Sequence, residues 1–338
     1  MPGSCRRGGV CMTEIRNYTY TSVLSPYIEG FIAEKRSLGF IYNSEAYELF
    51  RLDAYWNEKK YSDPCMSFEM LDEWLRAKPG EGKAGHCRRV SAAKMLAVYM
   101  NTLGIPAYVP LLKVGKAHNK VHIFSHEEIR EVFKVIDSYV PNSISPADFR
   151  MAKEYPLMFR LYYCCGMRNN EACALETKDV DLAAGIITVR DGKNQKDRLV
   201  YLPEDLREMA ESYYRYLCQA LGYTPRWFFP GRFPDRHVGK GQIDKRFSAF
   251  WAGTASSKNC DKKPTPHCFR HTFVVNRINM WIEGGMDLDV MLPYLSKYLG
   301  HTDPQETFYY YHMVSDAFRI LKRKDKASSD VLPEVRRR

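Results

Sequence analysis

Features that would point to several other protein classes are missing from this sequence. No apolar run approaches the roughly 20 residues of a membrane-spanning helix, and the N-terminal segment MPGSCRRGGVCMTE lacks the apolar core of a signal peptide. The ten cysteines are too sparse for a disulfide scaffold, and no two have the CxxC spacing of a zinc site. We therefore expect a cytoplasmic protein without a membrane anchor or a structural metal.

Length and charge narrow the class further. A chain of 338 residues is too long for one compact core and fits two domains. Its apolar fraction of 45% is that of a folded protein. The net charge of +10 and the pI near 9.0 favour a polyanionic partner, because every phosphate contact releases condensed counterions.

Periodicity and composition divide the chain into five segments. Four helical patterns come first, with Ser44 and Ser67 as expected N-caps, and a stretch with two prolines and no sustained period follows them. A new domain opens where Ser125 and Glu128 have capping-box spacing. The predicted organisation is a flexible basic leader over 1–20, a helical domain over 21–104, a linker over 105–124, a second domain over 125–315 and a charged tail over 316–338.

The second domain combines helices with one predicted strand pair. Residues 186–190 and 198–202 are β-branched or aromatic runs that flank a polar turn, so they predict an antiparallel hairpin. Lys193 and Lys196 then lie at or near its tip. The fold class that we expect is mainly α with a small antiparallel β-sheet.

One predicted helix face carries chemistry-bearing residues. Thr265 and Pro266 favour a helix start, after which His267, Arg270 and His271 fall at i, i+3 and i+4 on one face. A helix N-terminus also favours a phosphate through its free amides and its dipole. Taken alone, this triplet is equally consistent with a solvated polar surface.

A second set of residues follows a buried helix. The apolar stripe over 288–299 is stopped by Gly300, so His301 emerges where a core helix ends. A fresh helix is expected from Asp303, and it would carry the three tyrosines at 309–311. A tyrosine cluster on its own is more often packing than chemistry.

Earlier in the chain, Arg168 follows Gly166 in a predicted turn, and Glu171 is spaced to orient its guanidinium. The segments GMRNNEACAL, TPHCFRHTF and LGHTDPQETFYYYH, in this order, resemble the signature boxes of the tyrosine recombinase or phage integrase family, most closely its Xer-like members. The DGKNQKDRLVYL hairpin is similar to the lysine-bearing hairpin of that family. The resemblance covers about 125–315, and the preceding helices resemble its core-binding domain more loosely.

The resemblance implies a pocket for the scissile phosphate. Arg168 and Arg270 would bind the non-bridging oxygens and stabilise the charge of the transition state. His267 and His301 would complete the pocket, one of them helping to deprotonate the nucleophile. Neither ATP nor a metal or other cofactor is implied, because the covalent intermediate conserves the energy of the broken bond.

The resemblance also implies a nucleophile and a general acid. Tyr310 is aligned with the tyrosine that forms a 3′-phosphotyrosine, although Tyr309 and Tyr311 flank it and only one of the three can face the phosphate. Lys193 would protonate the 5′-oxygen leaving group, with Lys196 as its competitor. The stretch from Arg270 to His301 is about two helical turns longer than is usual in the family.

The implied function is site-specific recombination of double-stranded DNA by an integrase or transposase of a mobile element. A homo-tetramer on paired sites is expected, with a C-terminal helix exchanged between neighbours, possible partner recombinases or accessory DNA-bending proteins, and a cytoplasmic, nucleoid-associated location. The alternatives are a type IB topoisomerase-like enzyme and a DNA-binding accessory protein without catalytic activity. Basic residues that we expect to contact the DNA backbone, each with a solvated surface as its alternative, are Arg88, Arg89, Lys94, Lys196, Lys245 and Arg246.

Overall fold

A computed structural model of the chain describes residues 15–111, 121–190, 197–260, 263–301, 303 and 305–310. The chain divides into two compact units, Met1–Lys120 and Val121–Arg338. Within the described ranges, no helix has both the length and the apolar character to span a membrane.

The described part of the first unit is a helical bundle. Trp56 and Trp74 are buried at its centre. As expected, the Ser67 hydroxyl caps the third helix by accepting from the Met70 amide, but Ser44 is not an N-cap, because the second helix already begins at Asn43. The four helices are α1 (Ser25–Ser37), α2 (Asn43–Glu58), α3 (Phe68–Leu75) and α4 (Lys83–Thr102).

Both ends of this bundle differ from the expected leader and linker. Tyr20 is buried, and the Asp53 carboxylate accepts from the Ser22 amide at 3.0 Å and from its hydroxyl at 2.6 Å, so the chain is already packed before residue 21. At the other end, the Tyr108 amide donates to the Met66 carbonyl at 2.7 Å. The expected linker is therefore part of the first unit at its beginning, because backbone hydrogen bonds and apolar contacts hold it there.

The second unit contains the remaining described elements. Its helices are α5 (His126–Asp137), α6 (Pro146–Cys165), α7 (Asn169–Cys173), α8 (Glu204–Leu221), α9 (Lys240–Ala252), α10 (His267–Glu283), α11 (Leu288–Leu299) and α12 (Gln305–Phe308). Its three strands are β1 (Val180–Asp181), β2 (Ile186–Val189) and β3 (Arg198–Tyr201).

The predicted hairpin is confirmed as the β2–β3 pair. It is antiparallel, with Ile187 opposite Val200, and β1 adds a short third strand beside β2 that the sequence did not predict. The mainly helical fold with a small antiparallel sheet is thus the one expected. The capping box of Ser125 and Glu128 is also present at the start of α5.

Two glycines end helices next to the site described below. Gly166 follows α6 with φ of 63°, and Gly300 follows α11 with φ of 66°, both in the left-handed region that favours glycine. A Cβ at Gly166 would lie 2.6 Å from the Phe273 ring, so the turn can approach α10 closely only without a side chain. This turn directs the chain into Arg168 and α7.

Candidate active site

The last turn of α11 is the point where three arginines converge. The final carbonyls of a helix have no partner within the helix, and they form the negative end of its dipole. Guanidinium groups from three different elements bind these carbonyls at three consecutive residues. Arg198 Nε donates to Tyr298 O at 2.9 Å, Arg270 Nη2 donates to Leu299 O at 2.8 Å, and Arg168 Nη2 donates to Gly300 O at 3.0 Å.

Glu171 on α7 joins two of these arginines. Its carboxylate accepts from Arg198 at 2.8 and 2.6 Å and from Arg168 Nη1 at 2.8 Å. Burial alone would raise the pKa of Glu171, but the hydrogen bonds and charge of the two arginines lower it to about 2. The carboxylate is therefore ionised at neutral pH and holds both guanidiniums in fixed orientations.

Arg270 is the most buried of the three, with 1% of the residue exposed. Besides Leu299 O, it donates through Nη1 to the Gly166 carbonyl and through Nη2 to His301 Nε2 at 3.1 Å. Burial, followed by the positive charge of Arg168, lowers the pKa of Arg270 to about 9, so it stays a cation at neutral pH. A buried cation beside other cations is stabilised by an incoming anion.

The tautomer of His301 follows from its two partners. Arg270 has only N–H donors, so His301 Nε2 is the acceptor in that contact. The neutral ring then carries its proton on Nδ1, which donates to Thr307 Oγ1 at 2.7 Å. The Glu306 carboxylate lies 3.9 Å from Nε2. Together these contacts connect α10, the end of α11 and α12.

Tyr310 is turned into the same region. Only 4% of the residue is exposed, against 47% of Tyr309, and its ring joins the apolar cluster between α10 and α11. Its hydroxyl lies 2.6 Å from His271 Nδ1. Burial raises the pKa of Tyr310 to about 12. His267 lies one turn earlier on α10, with its ring edge-on to His271 at 4.5 Å between centroids.

The structure thus brings together most of the residues that the sequence suggested. Arg168, Arg270 and His301 share one hydrogen-bonded network, and His267 and Tyr310 flank it through His271. Lys193, Lys196 and Tyr311 lie outside the described residues, as does the expected exchanged helix. Among the described residues, no group of three or more histidine, cysteine or acidic side chains could hold a metal ion.

Two side chains in the site were missing from the residues predicted to act in it. Arg198 opens β3, where nothing in the local sequence distinguishes it from a surface arginine. His271 shares the helix face of His267 and Arg270, so its spacing was the available signal, but its contact to Tyr310 needs the fold.

Among the expected DNA contacts, Arg89 is wrong. Its side chain is 0% exposed, pairs with Glu81 at 2.6 Å and lies over the Trp74 ring. Because Glu81 neutralises its charge and Trp74 packs against its guanidinium, Arg89 offers no free positive charge to a phosphate. The prediction treated a basic stretch of α4 as one surface, whereas only part of it faces solvent.

Arg246 also differs from the expectation of a surface contact. It is half-buried, and its guanidinium lies over the rings of Tyr139 and Tyr155, at 4.6 and 5.5 Å from their centroids. Three other expected contacts are exposed, and they remain predictions: Arg88, Lys94 and Lys245.

The geometry suits an anion with several oxygens. Three guanidiniums held by fixed partners offer directed N–H donors, and Glu171 balances one of their charges. Phosphate fits such a set, because guanidinium forks match its oxygens. A buried hydroxyl on Tyr310 adjoins this positive region.

Comparison with known proteins gives consistent matches. The family model described as "Phage integrase family" matches residues 123–316. The chain is 25% identical over 309 residues to the putative integrase/recombinase y4rB of Sinorhizobium fredii, covering 88% of this chain and 96% of that protein. It is 29% identical over 257 residues to tyrosine recombinase XerC of Chlorobaculum parvum, covering 71% of each.

Solved structures match in fold. The XerH site-specific recombinase bound to a palindromic difH substrate aligns with a TM-score of 0.59 and 19% identity, covering 85% of this chain and 79% of that one. The Tn1549 transposon integrase in complex with transposon right end DNA aligns with a TM-score of 0.58 and 13% identity, covering 88% of this chain and 98% of that one.

Proposed function

This chain belongs to the phage integrase family and is a tyrosine recombinase, and we propose that it recombines specific DNA sites through a 3′-phosphotyrosine formed by Tyr310. The observation that carries the proposal is the buried Tyr310 side chain, whose hydroxyl lies within the electrostatic influence of Arg270 and Arg168, both held by backbone carbonyls. Tyr309 is 47% exposed and Tyr310 only 4%, which favours Tyr310 of these two neighbouring tyrosines.

In the proposed reaction, the scissile phosphate enters the positive region of the site. Arg168 and Arg270 bind its non-bridging oxygens and stabilise the extra negative charge of the transition state. The Tyr310 oxygen forms a bond to phosphorus and passes its proton to one of the two histidines, His267 or His301, while the bond to the 5′-oxygen breaks and that oxygen takes a proton from Lys193. The released 5′-hydroxyl of another strand then attacks the phosphotyrosine, which restores the DNA backbone and frees the tyrosine.

His301 and His267 would support this pocket in different ways. His301 accepts a hydrogen bond from Arg270 and donates one to Thr307, so it fixes the position of the Arg270 guanidinium relative to α12. His267 begins α10 at the exposed edge of the site, from which it can reach a bound phosphate. We retain Lys193 as the general acid for the 5′-oxygen on the strength of the family resemblance.

The partners follow from the same proposal. We propose double-stranded recombination sites as substrate, the helical first unit as the core-binding domain, and a homo-tetramer on paired sites as the active assembly. An integrase or transposase of a mobile element, acting on DNA in the cytoplasm with or without accessory proteins, is the role that we favour. An integrase/recombinase relative that aligns over nearly its whole length supports this role.

The test is covalent capture of DNA. Nicked duplexes made from the DNA that flanks the gene should form a protein–DNA adduct with the unaltered chain and none with Tyr310→Phe, while both bind the duplex equally. Tyr309→Phe is the matched control, and it should form adduct normally. Undiminished adduct from Tyr310→Phe would exclude Tyr310 as the nucleophile.

A further inference from the structure

We propose that His271 orients the Tyr310 hydroxyl for attack by accepting its hydrogen bond at Nδ1. The inference deepens the proposed function and rests on it, because Tyr310 is taken as the nucleophile. His271 would thereby act as a positioning residue beside the histidines at 267 and 301. It lies on the same helix as Arg270, so the donor of phosphate contacts and the orienting acceptor share one rigid element.

The contact geometry is that of a directed hydrogen bond. Tyr310 Oη and His271 Nδ1 are 2.6 Å apart, and the two ring centroids are 5.4 Å apart with the planes tilted by 43°. A phenol hydroxyl rotates about its C–O bond, and an acceptor fixes that rotation. With the O–H aimed at His271, the oxygen lone pairs point away from α10, where an electrophilic phosphorus could meet them.

The direction of the hydrogen bond follows from the surroundings. Burial, and then electrostatic interactions with His267, Arg270 and His301 that disfavour a charged imidazole, lower the pKa of His271 to about 3. Burial raises the pKa of Tyr310 to about 12. At neutral pH the phenol therefore stays protonated and is the donor of the hydrogen bond. The imidazole is neutral, with its own proton on Nε2 and Nδ1 as the acceptor. This wide separation favours an orienting role over removal of the proton.

Packing leaves the hydroxyl little other freedom. The Tyr310 ring lies in the apolar cluster with Phe273, Val274 and Leu299, so the side chain is held while its oxygen meets His271. Neighbouring Tyr309 is half exposed and contacts Tyr310 edge-on at 5.8 Å between centroids. His271 therefore forms its hydrogen bond with Tyr310 and not with the adjacent Tyr309.

Two substitutions separate orientation from proton acceptance. His271→Asn places an amide oxygen near the position of Nδ1, where it can accept the hydrogen bond but cannot take the proton. His271→Leu fills similar space without an acceptor. In single-turnover adduct formation on the nicked flanking-DNA duplexes, we expect His271→Leu to slow the reaction by about 100-fold, the usual effect of a misplaced reacting group, with DNA binding unchanged.

The rate of His271→Asn distinguishes orientation of the Tyr310 hydroxyl from removal of its proton. His271→Asn should recover the rate to within about tenfold of the unaltered chain, since orientation is restored. A His271→Asn rate as low as that of His271→Leu overturns the proposal and assigns proton removal to His271 instead. An unaltered rate in His271→Leu overturns it as well.

A second measurement needs no cleavage. In the full chain labelled with ¹⁵N-histidine, the imidazole signal that disappears in His271→Asn should belong to a ring protonated on Nε2 and unprotonated on Nδ1 at pH 7. A signal from the Nδ1-protonated form overturns the proposal. Absence of any DNA adduct from the unaltered chain would refute the proposed function while leaving this measurement decisive for the hydrogen bond.

Discussion

Replacing Glu171 by glutamine should destabilise the second unit, because it removes the carboxylate that two arginines share. The side chains of Glu171 and Arg198 are each 8% exposed, so water cannot readily replace the lost contacts. Glutamine keeps the shape of glutamate, but it has one acceptor oxygen and an amide group whose N–H donors would face the N–H donors of a guanidinium. A buried cation would then lack its counter-charge.

The size of the effect follows from the pKa of Glu171. It falls from an ordinary value of 4.5 to about 2, and one pKa unit corresponds to about 1.4 kcal/mol, so the ionised carboxylate contributes about 3 kcal/mol at neutral pH. Since the folded pKa lies below the unfolded one, this contribution is complete above pH 4.5 and is lost as the pH falls towards 2. By about pH 4, about 0.8 kcal/mol of it should be gone.

Urea unfolding at neutral pH and at about pH 4 measures this contribution. Glu171→Gln should lower the free energy of unfolding by about 3 kcal/mol at neutral pH and by visibly less at the lower pH. Glu208→Gln on the exposed face of α8 makes the same change in net charge and should have little effect at either pH. A Glu171→Gln loss below about 1 kcal/mol, or one independent of pH, would refute the assigned role of this carboxylate.

Two further pairs of substitutions, each a variant with its control, test the burial of Arg89 and the backbone turn at Gly166. Arg89→Ala should cost about 3 to 5 kcal/mol of stability, because it breaks a buried ion pair, and it should leave the salt dependence of DNA binding unchanged. Arg88 is exposed, so Arg88→Ala should leave the stability unchanged and lower the slope of the salt dependence by about one unit. Urea melts and binding at several salt concentrations would distinguish them. Gly166→Ala should cost about 2 kcal/mol or more, because its Cβ would meet Phe273 in a left-handed turn, whereas Gly222→Ala, left-handed but in open space, should cost about 1 kcal/mol in thermal unfolding. Equal losses at the two glycines would argue against the close approach.

Local signals in the sequence predicted much of the fold. The hairpin, the capping box at Ser125 and the stop at Gly300 depend on residues a few positions apart, so they could be recognised without the structure. The two-residue strand β1 was missed because it is too short to show a period. The predicted N-cap at Ser44 lies two residues after the observed N-cap, Tyr42, which is within the usual uncertainty of a helix boundary.

Contacts between distant residues could not be predicted in this way. Arg198 and its acceptor Tyr298 are 100 positions apart, and no periodicity links a strand residue to the end of a helix. Arg89 looked like surface because arginines usually are, and only its contacts with Trp74 and Glu81 show otherwise. The pairing of His271 with Tyr310 likewise depends on how α12 returns to α10.

Because three backbone carbonyls at the end of α11 bind the arginines, evolution can change the sequence of this helix more readily than its length. A main-chain oxygen is present whatever side chain a residue carries, so point substitutions at 298 and 299 leave the acceptors for Arg198 and Arg270 in place. Insertion or deletion of one residue in α11 would rotate the terminal carbonyls by about 100° and separate all three arginines from them at once. The sequence of this helix is therefore free to diverge to the extent that its packing allows, while its length is not.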